Sequence, residues 1–146
     1  MPRTVLVTGA NGFLGRHLVA ELRQCSYQVR VLLRPGTASP FPTEWAVECH
    51  EADLTQPATL AGAADGCEAI IHAAALAQVN PARNSAVWAV NLGGTQAVLR
   101  LARAAGVARL VHVGTANVFG FGSLARPGDE TCPYAGQRYG LDYMDS

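Results

Sequence analysis

TGANGFLG, residues 8–15, sets Gly9, Gly12 and Gly15 at intervals of three behind a threonine. Its neighbours decide how it reads. Ahead of it runs RTVLVT, Arg3 to Thr8, a continuous β-branched and leucine run without polar alternation, the pattern of a strand covered on both faces. Behind it, GFLGRHLVAELRQC carries Phe13, Leu14, Leu18, Val19 and Leu22 at helical spacing. A glycine turn between a strand and a helix, opening a βαβ unit, is the context that a dinucleotide-binding loop requires. Each glycine has its own reason: Gly9 permits the tight turn, Gly12 lets backbone approach a pyrophosphate with no Cβ between, and Gly15 lets the helix pack closely on the strand. The helix N-terminus offers free N–H groups and a partial positive charge to phosphate. Glycines cost helix propensity, so three at these offsets need such a reason.

Outward from this loop the alternation continues. QVRVLL (28–33) reads as a second strand, closed by Arg34-Pro35-Gly36. A third strand is expected around Ala46 to His50, and a short helix after Thr55 with Pro57 in its first turn. EAIIHAAA (68–75) reads as a fourth strand, and SAVWAVNLGGTQAVLRLARAAG (85–106) as one long helix ending at Gly106. ARLVHVGT (108–115) reads as a fifth strand, and residues 120–138 as loop. Strands alternating with helices predict an α/β fold, a doubly wound parallel sheet with helices on both faces. No repeat or linker divides the chain, so residues 1–146 read as one domain.

Composition narrows the class. Apolar residues make up 49% and charged residues 15% of 146, a globular balance. Eleven basic residues, all arginine, offset eleven acidic ones, so nothing favours nucleic acid or anionic lipid. No apolar run approaches a bilayer span, and no secretory signal precedes the first strand. Cys25, Cys49, Cys67 and Cys132 form no metal-ligand spacing; they read as reduced, buried or half-buried thiols of a cytoplasmic protein, with no metal.

TGANGFLG, with its GxxGxxG spacing, resembles the extended short-chain dehydrogenase/reductase superfamily: the NAD-dependent epimerase/dehydratase family with its dihydroflavonol-reductase-like members. Four further motifs follow in order. Asp53-Leu54 is similar to the pair whose Asp contacts adenine. HAAA (72–75) is similar to the small-residue segment along the cofactor, and VNLGGTQAVL (90–99) to the family's VNxxGT helix. VHVGTANVFG (111–120) is similar to the strand end that carries a catalytic Ser or Thr. The resemblance implies a Rossmann fold and assigns Gly9, Asn11, Gly12, Phe13, Leu14 and Gly15 to the cofactor, with Arg34, Asp53, Leu54, Ala73, Ala74, Ala75 and Asn91. Strand two ends in Arg34 where NAD-preferring members place a carboxylate on the ribose hydroxyls. A guanidinium suits a 2′-phosphate, so NADP is expected, with NAD as the alternative.

Family chemistry uses a Tyr, a Lys and a Ser or Thr. The phenol is general acid or base, and a neighbouring ammonium lowers its pKa from about 10. Thr115 matches the hydroxyl position. The chain has no Lys. Tyr143 is the favoured catalytic tyrosine, because YMDS (143–146) matches YxxSK up to its last residue and puts the Lys at 147. Tyr139 is second, and Tyr134, in YAGQR with Arg138 in the Lys place, is a poor third. These 146 residues are therefore expected to be the N-terminal portion of a longer oxidoreductase or nucleotide-sugar epimerase/dehydratase, truncated before its substrate-binding part. Its partners would be a small-molecule substrate, a nucleotide sugar among the candidates, and a second copy in a homodimer. The sheet face that the rest of the tyrosine helix would cover is expected to be exposed. The missing Lys supports an alternative, a non-catalytic NADP-binding sensor or interaction protein of the same fold.

Overall fold

The computed structural model describes residues 3–78, 83–119, 122–134 and 136–146, the Arg138 side chain excepted. Gly120, at the end of the fifth motif, and Ala135 and the Arg138 side chain of the YAGQR reading thus lie outside the described residues or side chains. Five strands, β1 (Thr4–Thr8), β2 (Gln28–Leu33), β3 (Glu48–Glu51), β4 (Cys67–His72) and β5 (Arg109–His112), form one sheet in the order β3-β2-β1-β4-β5. Every pairing is parallel. The chain winds outward from β1 through β2 to β3, then crosses back to place β4 on the other side of β1. That reversal makes the β1/β4 boundary a topological switch point, where ligands of open α/β sheets bind.

The apolar run of β1 supplies both layers of core. Val5 and Val7 face one way, with Val19 of α1 (Phe13–Gln24) and with Val29, Val31 and Leu33 of β2. Leu6 faces the other way, with Ile70, Leu54, Ala97 and Val98. Leu6, Val7, Val31 and Ile70 are wholly buried, so a strand without polar alternation is what a two-sided sheet demands.

The second layer is a helical run over 85–104, built of α2 (Ser85–Trp88), a π-helical turn (Ala89–Gly93) and α3 (Gly94–Ala104). The expected single helix therefore contains a bulge, a feature frequent at functional sites. A Cβ on Gly94 would meet the Leu54 side chain at 3.1 Å, so the bare glycine lets the run close over the Asp53-Leu54 loop. Gly106 sits past the helix end with φ +66, as expected of a C′ residue.

Other expectations need correction. Strand three begins at Glu48, not Ala46, because Ala46 (φ 48) is left-handed and closes a 3₁₀ turn over Thr43–Trp45. After Thr55 there is only a 3₁₀ turn, Pro57–Leu60. Strand five ends at His112, so Thr115 lies three residues beyond it. Cys67 is buried, but Cys25, Cys49 and Cys132 are exposed rather than buried or half-buried. Val111 on β5 and Val113 just beyond it are exposed.

Candidate active site

The turn after β1 is fixed by close backbone contact. Gly9 has φ +70, and a Cβ there would stand 2.7 Å from the backbone of Ala73 and Ala74. The Gly12 N–H donates to the Gly9 carbonyl at 3.0 Å, and a Cβ on Gly15 would lie 2.1 Å from that oxygen. Gly15 is thus a packing residue and does not border the groove. The groove, about 440 Å³, opens over the switch point. It is lined from the glycine turn by Gly9, Asn11 and Gly12, from the ends of β2 and β3 by Arg34, Asp53 and Leu54, and from beyond β4 by Ala73, Ala74 and Ala75. Phe13 and Leu14 point to solvent, at 86% and 45% exposure. Leu32, Ala52, Leu76, Ala86 and Val90 line it too. The motifs did not single these out, because apolar residues at strand ends look the same whether they face a core or a groove.

Asp53 is held for contact at this wall. Its Oδ1 accepts from the Thr55 N–H (2.8 Å) and the Thr55 hydroxyl (2.7 Å). That backbone bond first, then the hydroxyl, and at longer range the Arg34 charge, lower its pKa against the desolvation that raises it. The Asp is ionised and oriented before any ligand arrives.

Behind the groove lies a buried polar chain. The Thr8 hydroxyl meets His72 Nδ1 at 2.7 Å and accepts the Ala74 N–H at 3.3 Å, while His72 Nε2 meets the Thr95 hydroxyl at 3.0 Å. His72 is therefore the core histidine of the strand end, tying β1, β4 and α3 together. Burial first, then the neighbouring His112, push its pKa down from 6.5 to about 4. A folded-state pKa below the unfolded value means that the unfolded chain binds the extra proton. Stability from this group is complete above pH 6.5 and is lost as pH falls toward 4. Between pH 7 and pH 5 this amounts to about 2 kcal/mol. Urea unfolding of the protein and of His72→Gln at the two pH values checks it; an equal pH dependence in both would refute the assignment.

A second pocket, about 150 Å³, adjoins the groove and shares Ala74 and Ala75 with it. Thr115, Tyr143 and Asn91 line it, with His112, Thr95 and Ser146. Residues distant in sequence, Thr115 beyond β5 and Tyr143 on α4 (Asp142–Asp145), therefore meet at one cavity. Among the described residues no hydrogen-bond partner reaches the Tyr143 hydroxyl. The Thr115 Oγ1 accepts the Asn117 N–H at 3.3 Å, so it caps the turn after β5 while facing the pocket. Asn91 lines this pocket rather than the groove. Its Oδ1 accepts the Leu76 N–H (2.8 Å), and its Nδ2 donates to Leu76 O (3.4 Å) and Ser146 Oγ (3.1 Å).

The other two tyrosines do not line the cavity. The Tyr134 hydroxyl bonds the Met144 carbonyl (2.7 Å) and the Asp145 carboxylate. Desolvation first, then Asp145, push its pKa up to about 12, away from acid–base use near neutrality. Among the described residues no cluster of three or more His, Cys, Asp or Glu could hold a metal, and no helix is long and apolar enough to cross a membrane.

Comparison with known proteins gives a consistent picture. The model of the NAD dependent epimerase/dehydratase family matches residues 5–142. A 3 beta-hydroxysteroid dehydrogenase/Delta 5-->4-isomerase of Mycobacterium tuberculosis is 36% identical over 136 residues, 89% of this chain and 36% of that protein. A ceramide reductase of Caulobacter vibrioides is 41% identical over 109 residues, 75% of this chain and 33% of that protein. The crystal structure of Thermus thermophilus UDP-glucose 4-epimerase in complex with NAD superposes with a TM-score of 0.82 at 26% identity, over 97% of this chain and 46% of that one. The chain spans about a third of the length of these curated relatives.

Proposed function

Since the chain belongs to the NAD dependent epimerase/dehydratase family, we propose that it forms the cofactor-binding and acid–base part of an NADP-dependent oxidoreductase, or of a nucleotide-sugar epimerase/dehydratase, acting on a small molecule with a secondary alcohol or its ketone. The observation that carries this reading is the pocket lined by Thr115 and Tyr143, which shares Ala74 and Ala75 with the glycine-turn groove. The groove suits a dinucleotide: bare backbone at Gly9 and Gly12, a preoriented carboxylate at Asp53, and the Arg34 cation at its wall. When bound, the nicotinamide accepts or delivers hydride.

The chain's own residues do the rest. Gly9, Asn11 and Gly12 receive the pyrophosphate against the start of α1. Asp53 and Leu54 hold the adenine end, Arg34 pairs with a 2′-phosphate, and Ala73 to Ala75 run along the dinucleotide without side-chain obstruction. Thr115 donates a hydrogen bond to the reacting oxygen of the substrate. Tyr143 takes the hydroxyl proton in the oxidative direction and returns it in the reductive one. Asn91 supports the segment after β4 through its Leu76 bonds.

Fluorescence titration of the intact protein with NADPH and NADH tests the binding half. Turnover of a panel containing a 3β-hydroxysteroid, a ceramide precursor ketone and UDP-galactose tests the chemistry. No saturable binding of either dinucleotide would refute the proposal. Binding without turnover of any substrate would favour the second reading, a sensor of the same fold. Cofactor choice has its own test. Arg34→Ser is expected to weaken NADPH binding roughly 10-fold or more, the worth of a charge-assisted bond, and to leave NADH binding within about twofold. Equal loss for both would assign Arg34 no part in the choice.

A further inference from the structure

α4 raises a physical question. A helix of four residues cannot sustain itself, because fixing its first turn costs more than one hydrogen bond returns. Something outside it must hold Tyr143 at the pocket. The residue before Tyr143 is Asp142, a carboxylate only 5% exposed. Burying a carboxylate is expensive unless its oxygens are bonded. Asp142 meets this condition with two donors from one place, just ahead of the helical run over 85–104. The Asn84 backbone N–H donates to Oδ2 at 2.6 Å and the Arg83 guanidinium pairs with Oδ1; the Trp88 indole first, then these two, lower its pKa to about 2.

Neighbouring residues on a helix project about 100° apart. Asp142 can therefore be buried against α2 while Tyr143 lines the cavity with Thr115. The other ties of this turn are more peripheral. Ser146 Oγ accepts from Asn91 at 3.1 Å, and Tyr134, 41% exposed, bonds the Met144 carbonyl. Asp142 is the buried ionic anchor, and it joins the turn to the element whose π-helical part carries Asn91.

We propose that Asp142 is a positioning residue of the active site: docked on Arg83, Asn84 and Trp88, its carboxylate holds the turn that presents Tyr143 to Thr115. This rests on the reading of Tyr143 as the proton carrier. Asp142 lines neither the groove nor the second pocket, and its effect passes through the placement of the phenol. Small misplacement of a reacting group is enough to slow chemistry about 10²-fold.

The test uses the intact protein and the variants Asp142→Asn, Arg83→Ala, Trp88→Phe and Tyr143→Phe. In Asp142→Asn an amide N–H₂ replaces one acceptor and faces donors, so the dock is broken with little change of volume. Amide exchange over 141–146 is expected to accelerate at least about 10-fold while α3 keeps its rate. With the panel substrate turned over fastest, kcat is expected to fall about 10²-fold with KM and the NADPH Kd within about twofold. Unchanged exchange over 141–146, or kcat within about twofold of the parent while Tyr143→Phe is inactive, would overturn the inference. So would a joint fall of kcat, NADPH affinity and unfolding midpoint, the sign of a merely structural role. Should Asp142→Asn not fold, Arg83→Ala removes one donor and Trp88→Phe one polar neighbour, and both are expected to accelerate the same exchange about 3-fold; no change in either overturns it. If Tyr143→Phe keeps full kcat, the reading of Tyr143 fails, and the exchange measurement still judges the dock by itself.

Discussion

Gly15→Ala is expected to destabilise the protein by about 3 kcal/mol or more, at the upper end of overpacking costs, and to weaken dinucleotide binding at least about 10-fold. The added methyl would stand 2.1 Å from the Gly9 carbonyl oxygen, 2.6 Å from the Ala10 Cα and 2.8 Å from the Gly9 carbonyl carbon. All three are backbone atoms, so no rotamer change relieves the overlap. Either α1 lifts from β1 or the turn deforms. Lifting α1 opens the packing of Val19 on Val5 and Val7. Deforming the turn moves Gly9, whose own position is set by the backbone of Ala73 and Ala74. The two routes lead to the same loss, because the groove is built on that contact. Gly106→Ala is the control. Unlike Gly15, it is left-handed, at φ +66, and it has open space where the methyl would go. Its cost is that of the conformation alone, about 1 kcal/mol. Urea midpoints and NADPH titrations of both variants check the contrast. Similar losses in the two would mean that steric closeness at Gly15 costs no more than a strained backbone at Gly106.

The glycine spacing carried this much because it encodes contacts between backbones, which have no alternative chemistry. The same holds for the unbroken apolar run of β1, readable as a strand covered on both faces. Boundaries were less legible. Ala46 takes a left-handed conformation that nothing in its identity demands, so β3 starts late. The π-helical turn at Ala89–Gly93 leaves the apolar spacing nearly intact and was invisible for that reason. Within the candidate site, Phe13 and Leu14 belong to the motif by position, yet their side chains face solvent. A motif names positions, not the direction of a side chain. Asp142 went unread because a carboxylate beside a tyrosine is ordinary on a surface. Only the fold brings Arg83, Asn84 and Trp88 to it.

Tyr143→Phe in the intact protein is expected to lower kcat about 10³-fold, within the range of general acid–base catalysis, without a matching change in stability or NADPH affinity. The reasons are separable. The variant keeps the ring and removes only a hydroxyl, to which no described residue donates or accepts. Folding therefore has little to lose. Tyr143 lines the second pocket and not the dinucleotide groove, so cofactor binding has little to lose either. What disappears is the hydroxyl proposed to carry the proton. Tyr134→Phe makes the opposite case: its hydroxyl is tied to Met144 and Asp145, so its removal is expected to loosen the turn rather than to take away a proton. Thr115→Val should cost less than Tyr143→Phe, since it removes a hydrogen bond to the reacting oxygen but leaves the proton path. Combining the two should cost less than the product of their separate effects, because groups that act on one oxygen as a unit are not additive. A Tyr143→Phe enzyme that retains more than about a tenth of kcat would disprove the assignment. A loss that appears instead in Tyr139→Phe would transfer the proton to the tyrosine four residues earlier, at the end of the 3₁₀ turn Gly136–Tyr139, and with it the demand for a different arrangement of α4.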